Sequence, residues 1–274
     1  LQNMPYYQSN REWGVMTEIS KDGAYAVIST GYDQATMEWV QIWYDSTGNG
    51  SWSKQAEYTS QSGDFGADLA IDDEGITVAI GDSGRNQVKI YKRSGTSWSL
   101  DQTITGSNQF GMSTAISGDG LVLAVARPTW YSNRGGIKFY SRADKNTSFT
   151  ESFDMSDINS LNSTNSYLGR GKGTASNYRG AMEMNEIGTR LVVGCPSYNN
   201  GSQSRAYLIT RPDTDTNWSN TSSQIKYYQE GGDRNGGDVS ISADGNTMVS
   251  GGTSSATDGE INIFDITTLP SGQS

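Results

Sequence analysis

Four carboxylates, Glu18, Asp68, Glu183 and Asp238, stand in separate but similar stretches of the chain. Paired carboxylates are what glycoside hydrolysis requires, one to protonate the leaving oxygen and one to serve as nucleophile or base. No motif fixes a pairing among these four, so they read as solvated charges at strand ends, and no catalytic residue is expected. Other chemistry is thinner. The 274 residues include no histidine, which removes a His-based triad, a His metal site and a His general base. The single cysteine, Cys195, closes the apolar run Leu191-Val192-Val193-Gly194-Cys195 and reads as a small buried hydrophobe without a disulfide partner. Gly169-Arg170-Gly171-Lys172-Gly173 looks superficially like a phosphate cradle. It lacks the following Ser/Thr and the strand-to-helix setting of a P-loop, and reads as a mobile basic loop.

Charge narrows the partners. Acidic residues outnumber basic ones 30 to 20, for a net charge of −10, which repels phosphates and argues against nucleic acid or an anionic membrane. No run approaches the ~20 apolar residues of a spanning helix, so membrane insertion is not expected, nor is a cofactor. The 33 glycines, 5 prolines and 34% hydrophobic content suit short strands joined by polar turns. The chain opens at Leu1 without a basic-then-apolar leader, and is read as a secreted product from which the signal peptide has been removed. Six Asn-x-Ser/Thr sequons, at Asn49, Asn146, Asn162, Asn200, Asn217 and Asn220, fall in turn-like or loop-like stretches. They predict an extracellular glycoprotein.

The elements that would position these residues are repeats. WGVMTEISKDG (13 to 23), FGADLAIDDEG (65 to 75), FGMSTAISGDG (110 to 120), RGAMEMNEIG (179 to 188) and NGGDVSISADG (235 to 245) share one pattern. Their marker glycines are nine positions apart in four copies and eight in the fourth. After each comes a short apolar run such as Val78-Ala79-Ile80 or Leu123-Ala124-Val125, then a polar loop, then an alternating run such as Val88-Lys89-Ile90-Tyr91. These are second and third strands. Trp52, Trp98, Phe149 and Trp218 open fourth strands, and the fifth copy lacks its own. Four antiparallel strands repeated every ~40 to 50 residues is the signature of propeller blades. The reading is all-β: one five-bladed β-propeller over 1–274, with blades near 11–60, 61–106, 107–155, 156–229 and 230–274. Residues 1–10 supply the missing strand of the last blade, since Met4-Pro5-Tyr6-Tyr7-Gln8 is similar to Ile225-Lys226-Tyr227-Tyr228-Gln229. Such closure pairs an edge that would otherwise invite aggregation.

The pattern FG-x-x-x-A-I-S-x-D-G followed by an apolar strand ending in Gly-x-Pro resembles the FG-GAP repeats of integrin α subunits and of bacterial and algal surface proteins. Phe65-Gly66 and Phe110-Gly111 match the aromatic-glycine pair, and Gly194-Cys195-Pro196 the terminal tripeptide. Arg179-Gly180 and Asn235-Gly236 depart from it, and integrin propellers have seven blades, so neither ring size nor integrin-like binding carries over. The resemblance raises calcium, which some members hold in Asp/Asn-rich loops. Here Asp72-Asp73-Glu74-Gly75, Gly118-Asp119-Gly120 and Ala243-Asp244-Gly245 are too short for alternating ligands and read as hairpin turns. The remaining set is Asp233, Asn235 and Asp238, and no metal site is assigned.

In antiparallel blades the connections alternate ends. Loops after second strands bring Tyr32, Trp130, Tyr131 and Tyr198 to one face with the insertion from about Asp154 to Tyr178, which carries Arg170. These five are the predicted binding residues, for protein or carbohydrate. The opposite face receives Asn49, Asn146, Asn217 and Asn220. The expected function is a non-catalytic structural or adhesive surface protein that assembles into a filament or layer. A lectin-like module is the alternative, and a glycosidase is the more remote one.

Overall fold

The computed structural model describes residues 13–30, 38–61, 64–156, 166–171, 180–195, 205–221, 223–228, 236–253 and 259–267. They form five antiparallel sheets in chain order. The first holds β1 (Trp13–Ile19), β2 (Tyr25–Thr30), β3 (Glu38–Asp45) and β4 (Trp52–Ser60). The second holds β5 (Phe65–Ile71), β6 (Thr77–Asp82), β7 (Gln87–Ser94) and β8 (Ser97–Thr105). The third holds β9 (Thr114–Ile116), β10 (Val122–Ala126), β11 (Ile137–Ser141) and β12 (Thr150–Met155), and the fourth β13 (Met182–Met184), β14 (Arg190–Cys195), β15 (Arg205–Thr210) and β16 (Ile225–Tyr228). The fifth has three strands among the described residues, β17 (Asp238–Ile241), β18 (Thr247–Thr253) and β19 (Gly259–Asp265). The segment 1–10, expected to complete it, lies outside the described residues.

The second strands β6, β10 and β14 are continuous apolar runs because both of their faces are covered. Val78 and Ile80 pack toward the first sheet with Val27, Ile42 and Phe65, whereas Ala79 packs toward the third with Ile90, Phe110 and Leu123. Ala124 joins Phe139, Leu191 and Tyr207 between the third and fourth sheets, and Val192 joins Val239 and Met248 between the fourth and fifth. The core is therefore a series of layers between neighbouring sheets, and burial on both faces selects uninterrupted Val, Ile, Leu and Ala. The fourth strands β4 and β8 are mostly exposed or half-buried.

The turn after each first strand is built by side chains. Ser20 donates its hydroxyl to Asp22 (2.6 Å), Asp22 accepts the Ala24 N–H (2.9 Å), and Ser20 Oγ accepts the Tyr25 N–H (2.9 Å). Ser117 with Asp119 and Ser242 with Asp244 repeat the arrangement. An arginine at or after the end of the third strand then locks the turn glycine: Arg93, Arg142 and Arg211 donate Nε–H to the carbonyls of Gly75 (2.7 Å), Gly120 (2.8 Å) and Gly188 (2.8 Å). Their guanidinium groups lie over Tyr25, Phe149 and Trp218. Trp218 thus differs from its expected place. It does not open a fourth strand, which starts at Ile225, but is 2% exposed and stacks on Phe139 with centroids 4.2 Å apart. Burial against a neighbouring sheet outweighs strand pairing there.

These turns are joined to one another by main-chain bonds. Lys21 N–H donates to Asp73 O (3.2 Å), Asp73 N–H to Gly118 O (2.9 Å), Asp119 N–H to Glu186 O (3.0 Å) and Glu186 N–H to Ala243 O (3.0 Å). The series runs from the first sheet to the fifth, and Lys21 also pairs with Glu186 at 2.7 Å and Asp73 at 3.3 Å.

Candidate functional site

The first strands place Glu18 on β1, Asp68 on β5, Glu183 on β13 and Asp238 on β17, close enough for their charges to act on one another. Solvated strand-end charge is the wrong description for three of them. Asp68 is 3% exposed and accepts the Thr114 N–H (2.8 Å), the Ser113 hydroxyl (3.0 Å) and the Leu69 N–H (3.0 Å). Burial outweighs those bonds and pushes its carboxyl up to about 7. Glu183 accepts the Ile241 N–H (2.9 Å), and burial raises its carboxyl against that bond and one from Ser240. Glu18 has no hydrogen-bond donor among the described residues, and burial, followed by the charges of Asp68, Glu183 and Asp238, pushes it up to about 8. Asp238 is exposed and accepts the Val239 N–H (3.0 Å).

Asp68 therefore ties the second sheet to the third and Glu183 the fourth to the fifth, as Ser113 ties the third to the fourth by accepting the Ala181 N–H (3.0 Å). The site is also tight. A Cβ on Gly180 would lie 2.0 Å from Asp68 Oδ2, and the Gly180 N–H donates to Ala67 O (3.3 Å). A hydrolytic pair needs one carboxyl free to donate and another free to attack or to activate water, and here two of the four are consumed by inter-sheet bonds. No group of three or more acidic or cysteine side chains among the described residues is arranged to hold a metal ion. Of the calcium candidates, Asp233 and Asn235 lie outside the described residues. Cys195 is wholly buried and its thiol contacts Ser166 O at 2.9 Å; burial pushes the thiol up to about 12, which keeps it unreactive.

Of the five predicted binding residues, Tyr32 and Tyr198 lie outside the described residues, while Trp130, Tyr131 and Arg170 gather at one end of the third and fourth sheets. The loop after β10 turns through three successive left-handed residues, Tyr131 (φ 44°), Ser132 (φ 55°) and Asn133 (φ 62°). This conformation is unfavourable for side-chain-bearing residues and concentrates at functional positions. It leaves Tyr131 61% exposed. Trp130 is half-buried, donates Nε1–H to Ser156 O (3.1 Å), and lies beneath Arg127, which is itself paired with Asp154. Arg170 lies over Tyr167, 4.7 Å from the ring centroid, and Arg134 over Tyr131 at 5.0 Å.

The expected mobile basic loop is instead pinned at its start. Gly169 N–H donates to Gly194 O (2.8 Å), and a Cβ on Gly169 would meet Ala126 at 2.4 Å. Leu168 beside it is fully buried, whereas Lys172 and Gly173 lie outside the described residues. Arg127, Arg134 and Tyr167 were missed from sequence. The available signal was an arginine on either side of Trp130-Tyr131, in Arg127-Pro128-Thr129-Trp130-Tyr131-Ser132-Asn133-Arg134.

At the opposite ends of the strands, Asn49, Asn146 and Asn217 are exposed and Asn220 is half-buried, each between a third and a fourth strand. Asn146 Oδ1 accepts from Lys92 Nζ (2.8 Å). Asn162 and Asn200 lie outside the described residues.

No family model and no curated protein matches the chain. Similar solved structures are β-propellers. A protein assigned as TolB from Agrobacterium tumefaciens is 12% identical with a TM-score of 0.56, over 95% of this chain and 79% of that one. TolB from Acinetobacter baumannii is 13% identical with a TM-score of 0.50, over 95% and 51%. Hydrazine synthase from Kuenenia stuttgartiensis is 14% identical with a TM-score of 0.57, over 92% and 58%. This chain thus spans about half to four-fifths of those chains. The likeness establishes an all-β propeller fold of antiparallel sheets.

Proposed function

We propose that the chain is an extracellular, non-catalytic structural or adhesive surface protein that works by binding through the loop face that carries Trp130, Tyr131 and Arg170. The observation that carries this reading is the backbone at Tyr131–Asn133, which is strained to hold a large aromatic in water. Engagement of Asp68 and Glu183 in inter-sheet bonds supports the absence of catalysis. Occupied sequons at Asn49, Asn146 and Asn217 would shield the other face and orient the protein in a layer or filament. The test is negative-stain microscopy of native material with glycopeptide mass spectrometry. Ordered polymers or layers lost on Tyr131→Ala are expected, and isolated discs without glycans would overturn the structural reading.

The finer fold belongs to the same proposal: five FG-GAP-type blades, the last completed by residues 1–10 pairing with β19. The side of β19 away from β18 has no strand partner among the described residues, and Ile261 and Ile263 on β19 are 75% and 71% exposed. An open apolar edge is an aggregation hazard that a closing strand removes. A lectin-like module is the second reading, favoured by the aromatic rings and arginines that share the loop face.

A further inference from the structure

Two segments about thirty residues apart in sequence are stitched together on the loop face. The Tyr167 N–H donates to Asn133 O (2.8 Å) and the Leu168 N–H to Arg134 O (3.2 Å). The junction sets three arginine-aromatic pairs side by side, Arg127 on Trp130 (4.1 Å), Arg134 on Tyr131 (5.0 Å) and Arg170 on Tyr167 (4.7 Å). Tyr167 is itself left-handed (φ 50°), so both segments hold their aromatic rings at a backbone cost.

The turns at the far ends carry Asp22, Asp73, Glu74, Asp119, Glu186 and Asp244 beside Lys21, Arg93, Arg142, Lys145, Arg190 and Arg211, while on the loop face Asp154 pairs with Arg127 and Asp64 feels the charge of Arg170. On that face the Arg127 and Arg134 Nε–H groups are buried without an acceptor. Both groups are closed to solvent, so a ligand reaches only the outer part of the half-buried Arg134 side chain. Arginine presents a planar fork to carboxylate or sulfate, and the free side of an exposed tyrosine ring offers an apolar platform with a polar tip.

We infer that the Trp130–Arg134 and Tyr167–Arg170 segments together form a binding site for an anionic carbohydrate. Arg134 and Arg170 take its carboxylate or sulfate, and a sugar ring stacks on Tyr131. The inference rests on the loop-face reading above and adds the charge of the ligand to it. A second copy of this chain could instead present its acidic turns to the same arginines. Carbohydrate is favoured because those turns share their face with Asn49, Asn146 and Asn217, where glycans would block close stacking.

The test is calorimetric titration of the intact chain with three oligosaccharides of equal length: a polyuronate, a sulfated galactan and a neutral galactan. Light scattering of the protein alone runs in parallel. Saturable binding of one or both anionic sugars is expected, weakened as salt rises from ~0.1 to ~0.5 M. Tyr131→Ala and Arg134→Ala should each reduce it about tenfold, equivalent to ~1.4 kcal/mol, with unchanged melting temperature. The arm that binds separates carboxylate from sulfate. Equal affinity for the neutral sugar, lost on Tyr131→Ala, overturns the anionic ligand and leaves the loop-face reading standing. Self-association abolished by Arg134→Glu without sugar binding likewise replaces carbohydrate with a second copy. If no probe binds and neither substitution alters assembly, both the inference and the loop-face reading fail.

Discussion

Removing the Asp68 carboxylate by Asp68→Ala would strand the Thr114 N–H and the Ser113 hydroxyl in a site closed to water. Unpaired buried donors cost about 1–3 kcal/mol each, so urea denaturation should show a loss of about 2–4 kcal/mol. The raised carboxyls at Glu18 and Asp68 also set a pH dependence. An ordinary carboxylate ionises near ~4, whereas these are pushed up to about 8 and about 7. Between those limits the native chain holds protons that the unfolded chain has released. Stability therefore falls as pH rises from ~4 toward ~8. Glu18 keeps partial contact with solvent, so only part of the full linkage value applies. Glu18→Gln should be more stable than the parent at pH ~8 by about 1–3 kcal/mol and nearly equal to it at pH ~5, as thermal melts across that range would show. A parent melting temperature that rises with pH would contradict this.

At the scale of strands and turns, the marker glycines divide into two kinds. Gly23 is left-handed (φ 72°) with nothing within 4 Å of an added Cβ, whereas at Gly111 (φ 91°) a Cβ would lie 2.2 Å from Gln87 O. Gly23→Ala should cost only the left-handed penalty, ~1 kcal/mol, while Gly111→Ala should cost ~3 kcal/mol or more because backbone must move. Paired chemical denaturations decide between them. The repeat was legible in sequence because its determinants are local: a Ser-x-Asp-Gly turn writes its own hydrogen bonds, and burial on both faces writes an apolar run such as Leu191-Val192-Val193. The roles of Asp68 and Glu183 were not legible, since they depend on which N–H of the neighbouring sheet each carboxylate meets. Trp218 was misplaced for the same reason, its partner Phe139 coming from another sheet. The candidate binding site was half legible. Trp130, Tyr131 and Arg170 stood out as loop residues, but their pairing with Arg127, Arg134 and Tyr167 depends on the bonds that join the two segments.

At the scale of the whole molecule, the proposed completion of the fifth sheet by residues 1–10 has the largest measurable consequence. A chain lacking residues 1–10 should melt about 5 °C lower or more, since a domain of this size loses ~2–4 °C per kcal/mol, and should aggregate through the exposed Ile261 and Ile263. An unchanged melt would overturn that proposal. The four main-chain links that run from Lys21 through Asp73, Gly118 with Asp119, and Glu186 to Ala243 join the first-strand turns of the five sheets in a row. A force prising two neighbouring sheets apart at those turns meets peptide groups, whose bonding does not depend on which side chains they carry. The repeats are therefore free to diverge, as the fourth and fifth copies have in replacing the aromatic before the marker glycine with Arg179 and Asn235, while the links between their turns stay fastened.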